Sequence, residues 1–151
     1  MPQENTIDGY LISDDPGRLD VAAIHAYLTR SYWATGVPLE IVERSVRNSL
    51  CLGLYTAAGA QVGLARVVTD FATFAWLCDV YVLEPHRGRG LSKALMRAVV
   101  THPRLQGVRR ITLGTRDAHG LYTQFGFTPL AKPESQMEKR QPQPWQKPAP
   151  T

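Results

Sequence analysis

Residues Val80 to Leu95, VYVLEPHRGRGLSKAL, run from a strand-like stretch through a glycine-and-arginine turn straight into an amphipathic helix. That order of elements builds an anion site. Gly88 and Gly90 carry no Cβ, so the backbone there can turn tightly and come close to a ligand. From Leu91 the helix opens with N–H groups that have no intrahelical acceptor, and its dipole places about half a positive charge at that end. A phosphate fits there. Arg87 and Arg89 add guanidinium forks at the rim, where paired N–H donors match phosphate oxygens.

Outward from this segment the chain alternates helix and strand signals. Tyr10 to Ser13 reads as a short first strand, closed by the turn residues Asp14-Asp15-Pro16-Gly17. A helix follows, capped by Asp20, with Val21, Ile24, Tyr27 and Leu28 on one face, until Thr35-Gly36-Val37-Pro38 interrupts it. Pro38 suits the start of a second helix, in which Leu39, Ile41, Val42 and Val46 are apolar and Asn48 and Ser49 close the run. Leu50 to Thr56 and Gln61 to Thr69 are β-rich and joined by Ala57-Ala58-Gly59-Ala60, a hairpin spacing. Ala75 to Leu83 is another strand. The helix from Gly90 to about Thr101 carries an apolar stripe of Leu91, Ala94, Leu95, Ala98 and Val99 and stops at His102-Pro103. Ile111 to Gly114 reads as a short strand, Asp117 to Phe125 as a short helix with Gly126 as its cap, and Phe127-Thr128 with Met137 to Arg140 as a final strand pair.

The 151 residues, 44% of them hydrophobic, suffice for one domain with a real core, over residues 1–140. Residues 141–151, QPQPWQKPAPT, hold four prolines, too many for a core element, and are expected to form a flexible tail. No apolar run reaches the roughly 18 residues that span a bilayer, and MPQENTIDGY lacks the features of a leader. The chain therefore reads as cytoplasmic, with no membrane partner. Cys51 and Cys78 sit in strand-like segments as small buried side chains, and no cysteine or histidine falls at metal-ligand spacing. The net charge is +4, with the excess gathered in Arg87, Arg89, Lys93, Arg97, Arg104, Arg109 and Arg110. Such a cluster attracts polyanions, but it surrounds a turn made for one ligand and comes without a nucleic-acid-binding motif, which argues against nucleic acid as partner.

Arg87-Gly88-Arg89-Gly90-Leu91-Ser92 resembles the acyl-CoA-binding motif of the GNAT acetyltransferase superfamily, Gln/Arg-x-x-Gly-x-Gly/Ala, with Ser92 the one departure. Downstream, Ala118, Leu121, Tyr122, Gly126 and Phe127 match the superfamily's Asn-x-x-Ala-x-x-Leu-Tyr-x-x-x-Gly-Phe segment, while Thr115 stands at the Asn position. The order of elements agrees over residues 10–140. The resemblance implies a mixed α/β fold: a central, mostly antiparallel sheet with one splayed parallel pair, flanked by helices. The split would lie between the strands at Ala75–Leu83 and Ile111–Gly114. It implies acetyl-CoA as acyl donor, with its pyrophosphate on Arg87, Gly88, Arg89, Gly90, Leu91, Ser92 and Lys93, and its pantetheine along the backbone of Tyr81, Val82 and Leu83 like an added strand. No metal is implied. The N–H near Val82 would hold the thioester oxygen.

The implied reaction is acetylation of an amine, small molecule or peptide, by direct attack. An alkylammonium with a pKa of about 10.4 is neutral only to about one part in a thousand near pH 7.4, so a base helps, and the leaving thiolate needs a proton donor. Tyr122, matching the superfamily tyrosine, is the candidate donor, against a purely packed role. Asp79, in the otherwise apolar Trp76-Leu77-Cys78-Asp79-Val80, is the candidate base, or else a structural carboxylate that hydrogen-bonds backbone or pairs with an arginine such as Arg66. Glu84 is a second base candidate or a solvent-facing residue. His119 and His25 are proton relays or packing residues. Tyr32 and Trp33, at the end of the first helix, either hold an aromatic or cationic acceptor or pack in the core. Exposed strands near the C-terminus would suit a homodimer. A non-catalytic acyl-CoA-binding module would keep the turn and dispense with Tyr122. The lack of Gly-x-x-x-x-Gly-Lys-Ser/Thr and the late position of the glycine turn argue against a P-loop or dinucleotide protein.

Overall fold

The computed structural model describes residues 1–145. Six strands form one sheet in sequential order: β1 (Glu4–Ile7), β2 (Tyr10–Ser13), β3 (Leu50–Tyr55), β4 (Gln61–Thr69), β5 (Ala75–Val82) and β6 (Ile111–Leu113). Every neighbouring pair is antiparallel except β5 and β6, which run parallel over Ala75–Leu77 and Ile111–Leu113. The helices are α1 (Val21–Leu28), α2 (Leu39–Arg47), α3 (Leu91–Val100) and α4 (His119–Thr123). This is the mixed, mostly antiparallel sheet with one splayed parallel pair that the sequence implied.

The sheet separates two apolar layers. On one face α3 buries Leu91, Leu95, Met96 and Val99 against Leu52, Val67 and Leu77. On the other, Ile24, Leu28, Val42 and Val46 of α1 and α2 pack on Cys51, Leu64 and Tyr81. Asp20 caps α1 by accepting from the Ala23 N–H at 3.0 Å, as its position before the apolar stripe required. The connection between α1 and α2 is tied to itself: Gly36 N–H donates to the Thr29 carbonyl at 2.8 Å, the Ser31 hydroxyl to the Leu28 carbonyl at 2.7 Å, and His25 Nε2 lies 3.0 Å from the Val37 carbonyl. His25 is therefore a strut of this connection. The cysteines are free, Cys51 buried and Cys78 half-buried.

Three features depart from the sequence reading. β1 is an additional strand, joined to β2 by Asp8-Gly9 in the left-handed region (φ 47° and 82°), a two-residue hairpin turn. The expected strands at Phe127-Thr128 and Met137–Arg140 do not form. Pro129 and Pro133 have no N–H to give a ladder, the chain makes a 3₁₀ turn at Pro133–Ser135, and Met137 stays 97% exposed. The outer edge of β6 accordingly has no strand partner among the described residues, and the strands that suggested a homodimer are absent. Of the proline-rich tail, Trp145 lies against the α1–α2 cluster beside Gly36; residues 146–151 fall outside the described part. Among the described residues no helix is long and apolar enough to cross a membrane.

Candidate active site

The ladder between β4 and β5 shifts register between Leu64 and Arg66, where Asp79 and Val80 of β5 face the single residue Ala65. This is a bulge, and Asp79 takes the left-handed backbone it requires (φ 52°). Pairing with β6 ends at Leu77, just before the bulge, so the two parallel strands part from Cys78 onward. Leu83 N–H donates to the Val62 carbonyl at 2.8 Å. The alternation of an antiparallel ladder then turns the N–H and C=O of Val82 away from β4 and into the split. Leu83 is different: its N–H is used by Val62 and its carbonyl already accepts from His86 N–H at 2.9 Å, which leaves only a second lone pair of that carbonyl for a ligand. Tyr81 falls in the same alternating set as Leu83, and its ring is buried against Tyr27 with centroids 3.9 Å apart.

At the C-terminal end of β5 the turn has the expected form. Gly88 and Gly90 have φ of 79° and 74°, and a Cβ at either would meet no atom within 4 Å, so the backbone dihedral rather than crowding calls for glycine. Gly90 precedes α3 without any side-chain cap, leaving the first N–H groups of the helix to a ligand. Arg89 and Lys93 are exposed beside this turn. Arg87 is committed in part to the protein, since its Nε donates to the Val82 carbonyl at 2.8 Å and ties the turn to the strand edge.

A cavity of about 870 Å³ occupies the split. It touches Arg87 and Ser92 from the turn, Cys78 to Val82 of β5, Tyr122 of α4, and Arg30, Tyr32 and Trp33 from the α1–α2 connection. Tyr122 packs edge-on against Phe127, and its hydroxyl makes no hydrogen bond among the described residues. Burial, and to a lesser degree Tyr32, pushes its pKa up, so the phenol stays protonated. Thr115, at the Asn position, accepts from Ala118 N–H at 3.0 Å in the turn that leads into α4, which itself has no side-chain cap.

Asp79 has both oxygens engaged: Oδ1 accepts from Trp33 Nε1 at 2.8 Å and Oδ2 from Arg66 Nε at 2.7 Å. The pair is nearly buried, with side-chain exposures of 17% for Arg66 and 8% for Asp79. Burial opposes the Arg66 charge, but Asp79 beside it, helped by Cys78, leaves its pKa raised. Arg66 also donates to the Ser49 hydroxyl at 3.0 Å. The arginine pairing weighed from sequence is thus the observed one. Tyr32 and Trp33 are 52% and 40% exposed and wall the cavity rather than the core. Glu84 is exposed, and His119 lies on the far side of β6, in a trough of about 990 Å³ between β6, α4 and the C-terminal segment. Sequence reasoning did not find Tyr27, Arg30 or Arg116 as cavity residues: each is an ordinary helix or loop residue until the α1–α2 connection folds over the split.

A sheet that opens beside a glycine turn leading into a helix, with a protonated tyrosine across the gap, defines an acyltransferase-type cleft. The family model described as the GNAT acetyltransferase family matches residues 22–127. A Gibberella zeae protein that carries an acetyltransferase name is 34% identical over 143 residues, covering 80% of each chain. A Xanthomonas campestris crystal structure assigned to the GNAT family is 48% identical, with a TM-score of 0.89 over 94% of this chain and 100% of that one. Glucosamine-6-phosphate N-acetyltransferase from Arabidopsis thaliana shares the fold at 16% identity, with a TM-score of 0.60 over 87% of this chain and 97% of that one. The chain belongs to the GNAT acetyltransferase family.

Proposed function

We propose that the protein transfers an acetyl group from acetyl-CoA to a primary amine by direct attack on the thioester. One observation carries this reading: a single cavity joins Arg87 and Ser92 of the anion turn, Val82 at the edge of β5 that no strand covers, and Tyr122. The N–H groups of Gly88 to Lys93 suit a pyrophosphate, and the Val82 N–H suits the thioester oxygen as charge grows on it. The amine nitrogen forms its bond to the carbonyl carbon, the carbon–sulfur bond breaks, and Tyr122 protonates the departing thiolate, regaining a proton from the nitrogen through solvent. Asp79, with both oxygens occupied, acts as a positioning residue that holds Trp33 on the cavity wall.

That same occupancy favours a second reading, a module that binds acyl-CoA without turnover, because it leaves no free buried carboxylate on the cavity wall. The test is release of free CoA from acetyl-CoA against a broad panel of amines. Turnover with any amine supports the enzyme, and Tyr122→Phe is then expected to lower kcat by about a hundredfold, the lower range for a lost proton donor. An acetyl-CoA complex detected by calorimetry, with no CoA released across the panel, selects the binding module. Burial pushes the Cys51 and Cys78 thiols up to about 12. The protein's own thiols should therefore contribute little to a thiol-release signal near pH 8.

A further inference from the structure

The cavity's charges do not balance, and the imbalance bears on the acceptor. Its lining includes four guanidinium groups, Arg30, Arg66, Arg87 and Arg116, and two carboxylates, Asp79 and Asp117. Arg66 and Asp79 neutralise one another at 2.7 Å, and Arg87 is bonded to the Val82 carbonyl beside the anion turn. Arg116 and Asp117 are 3.8 Å apart, both mostly exposed, a pairing that water screens. Arg30 and Arg116 remain. Neither guanidinium donates a hydrogen bond to a protein acceptor among the described residues; each lies instead over a ring, Arg116 at 3.8 Å from the centre of Tyr32 and Arg30 at 5.3 Å from that of Tyr27. A guanidinium stacked in this way keeps its donor edge free, in the planar fork that matches a carboxylate or phosphate.

The aromatic faces point the same way. Sequence reading made Tyr32 and Trp33 candidates for holding a cation, but an arginine already lies over Tyr32, and Tyr27 is stacked between Tyr81 and Arg30. An incoming ammonium would meet positive charge already lying over Tyr27 and Tyr32; Trp33, the one of these rings with no arginine over it, packs against both tyrosines and gives its N–H to Asp79.

We infer that the acceptor amine also carries an anionic group, a carboxylate or a phosphate, bound by the free edges of Arg30 and Arg116. This rests on the acetyltransferase reading and narrows it to a substrate class. Until such an anion offsets their charge, Arg30 and Arg116 present a positive field to an incoming amine. Polyamines and other polycations are selected against by the same field.

The test uses matched amines on the full chain loaded with CoA: phenylalanine against 2-phenylethylamine for the carboxylate, and O-phosphoethanolamine against ethanolamine for the phosphate. Calorimetry at low ionic strength is expected to show at least one anionic member binding about threefold or more tighter than its partner, the scale of a charged pair that water partly screens. The pair that shows the difference identifies the anion. Arg30→Ala and Arg116→Ala should each bring that ratio toward one, and Arg116→Lys, which keeps the charge and loses the fork, should restore it only in part. Equal affinities within both pairs, tighter binding of the plain amines, or no binding by any of the four overturns the inference, whatever turnover shows. A clear anionic preference in binding with no CoA release from acetyl-CoA would instead overturn the enzyme reading and leave the site's charge preference standing.

Discussion

Asp79 combines a left-handed backbone with a nearly buried carboxylate that accepts from both Trp33 and Arg66. A base must be free to take a proton, whereas a carboxylate shared by an arginine and an indole orders the groups that hold it. Asp79→Asn separates these roles, because the amide oxygen can still accept from Trp33 while the charge opposite Arg66 is lost. Removing one partner of a buried pair costs about 3 kcal/mol, so the melting temperature should fall. For a positioning residue the acceptor KM rises and the pH profile of kcat/KM keeps its shape; for a base the acidic limb disappears. A second residue-scale expectation concerns Cys51 and Cys78, whose thiols burial raises to about 12. A disulfide reagent at pH 8 should label neither cysteine in the native protein on the time scale of an assay, and both once the chain is denatured. Rapid labelling of Cys78, which borders the cleft, would mean that the split opens more widely than its hydrogen bonds suggest.

Among the elements, those with local chemical punctuation were legible in the sequence. Asp20 before an apolar stripe, the glycine hairpin between β3 and β4 and the turn into α3 all stand where their residues placed them. β1 carried a signal too, the Asp8-Gly9 pair, but Glu4 to Ile7 has only one partly buried residue and so little apolar alternation to read. The bulge at Asp79 was not legible, because it depends on where β4 and β5 lose register, a long-range property. The absent C-terminal strands fail for a physical reason visible in the chain, prolines at 129 and 133. Gly90 gives this scale its prediction. Its φ of 74° costs a residue with a Cβ about 1–2 kcal/mol, and since a Cβ would meet nothing within 4 Å, that backbone term is the whole cost. Gly90→Ala should thus lower the melting temperature and weaken acetyl-CoA binding together. Gly107→Ala, equally open but with no left-handed φ, should lower neither. Equal effects from the two variants would show that the turn is not held in the left-handed form.

At the scale of the whole molecule, the two apolar layers and the cleft where β5 and β6 part trap phenols in surroundings poor in water. Burial is the leading cause in each case: it raises Tyr55 to about 12, raises Tyr81, where Tyr27 and Asp79 add to the effect, and raises Tyr122. The three lie at separate places, on β3, on β5 and on α4, so their titration reports on the fold rather than on one contact. A phenol in the unfolded chain ionises at about 10, and a higher value in the folded state means that folding favours the neutral form. The stabilisation is therefore complete below pH about 10 and is lost as pH rises from there through about 12, where the unfolded chain releases protons that the folded one retains. Alkali should unfold the protein across that window, with part of its phenolate absorbance appearing only as the far-ultraviolet circular dichroism collapses. A ligand that closes the cleft over Tyr122 should move both changes to higher pH together, because it binds the folded state alone. If all six tyrosines ionised in one smooth step near pH 10 while the circular dichroism held, the phenols would be in contact with water and the packing of both layers around them would have to be revised.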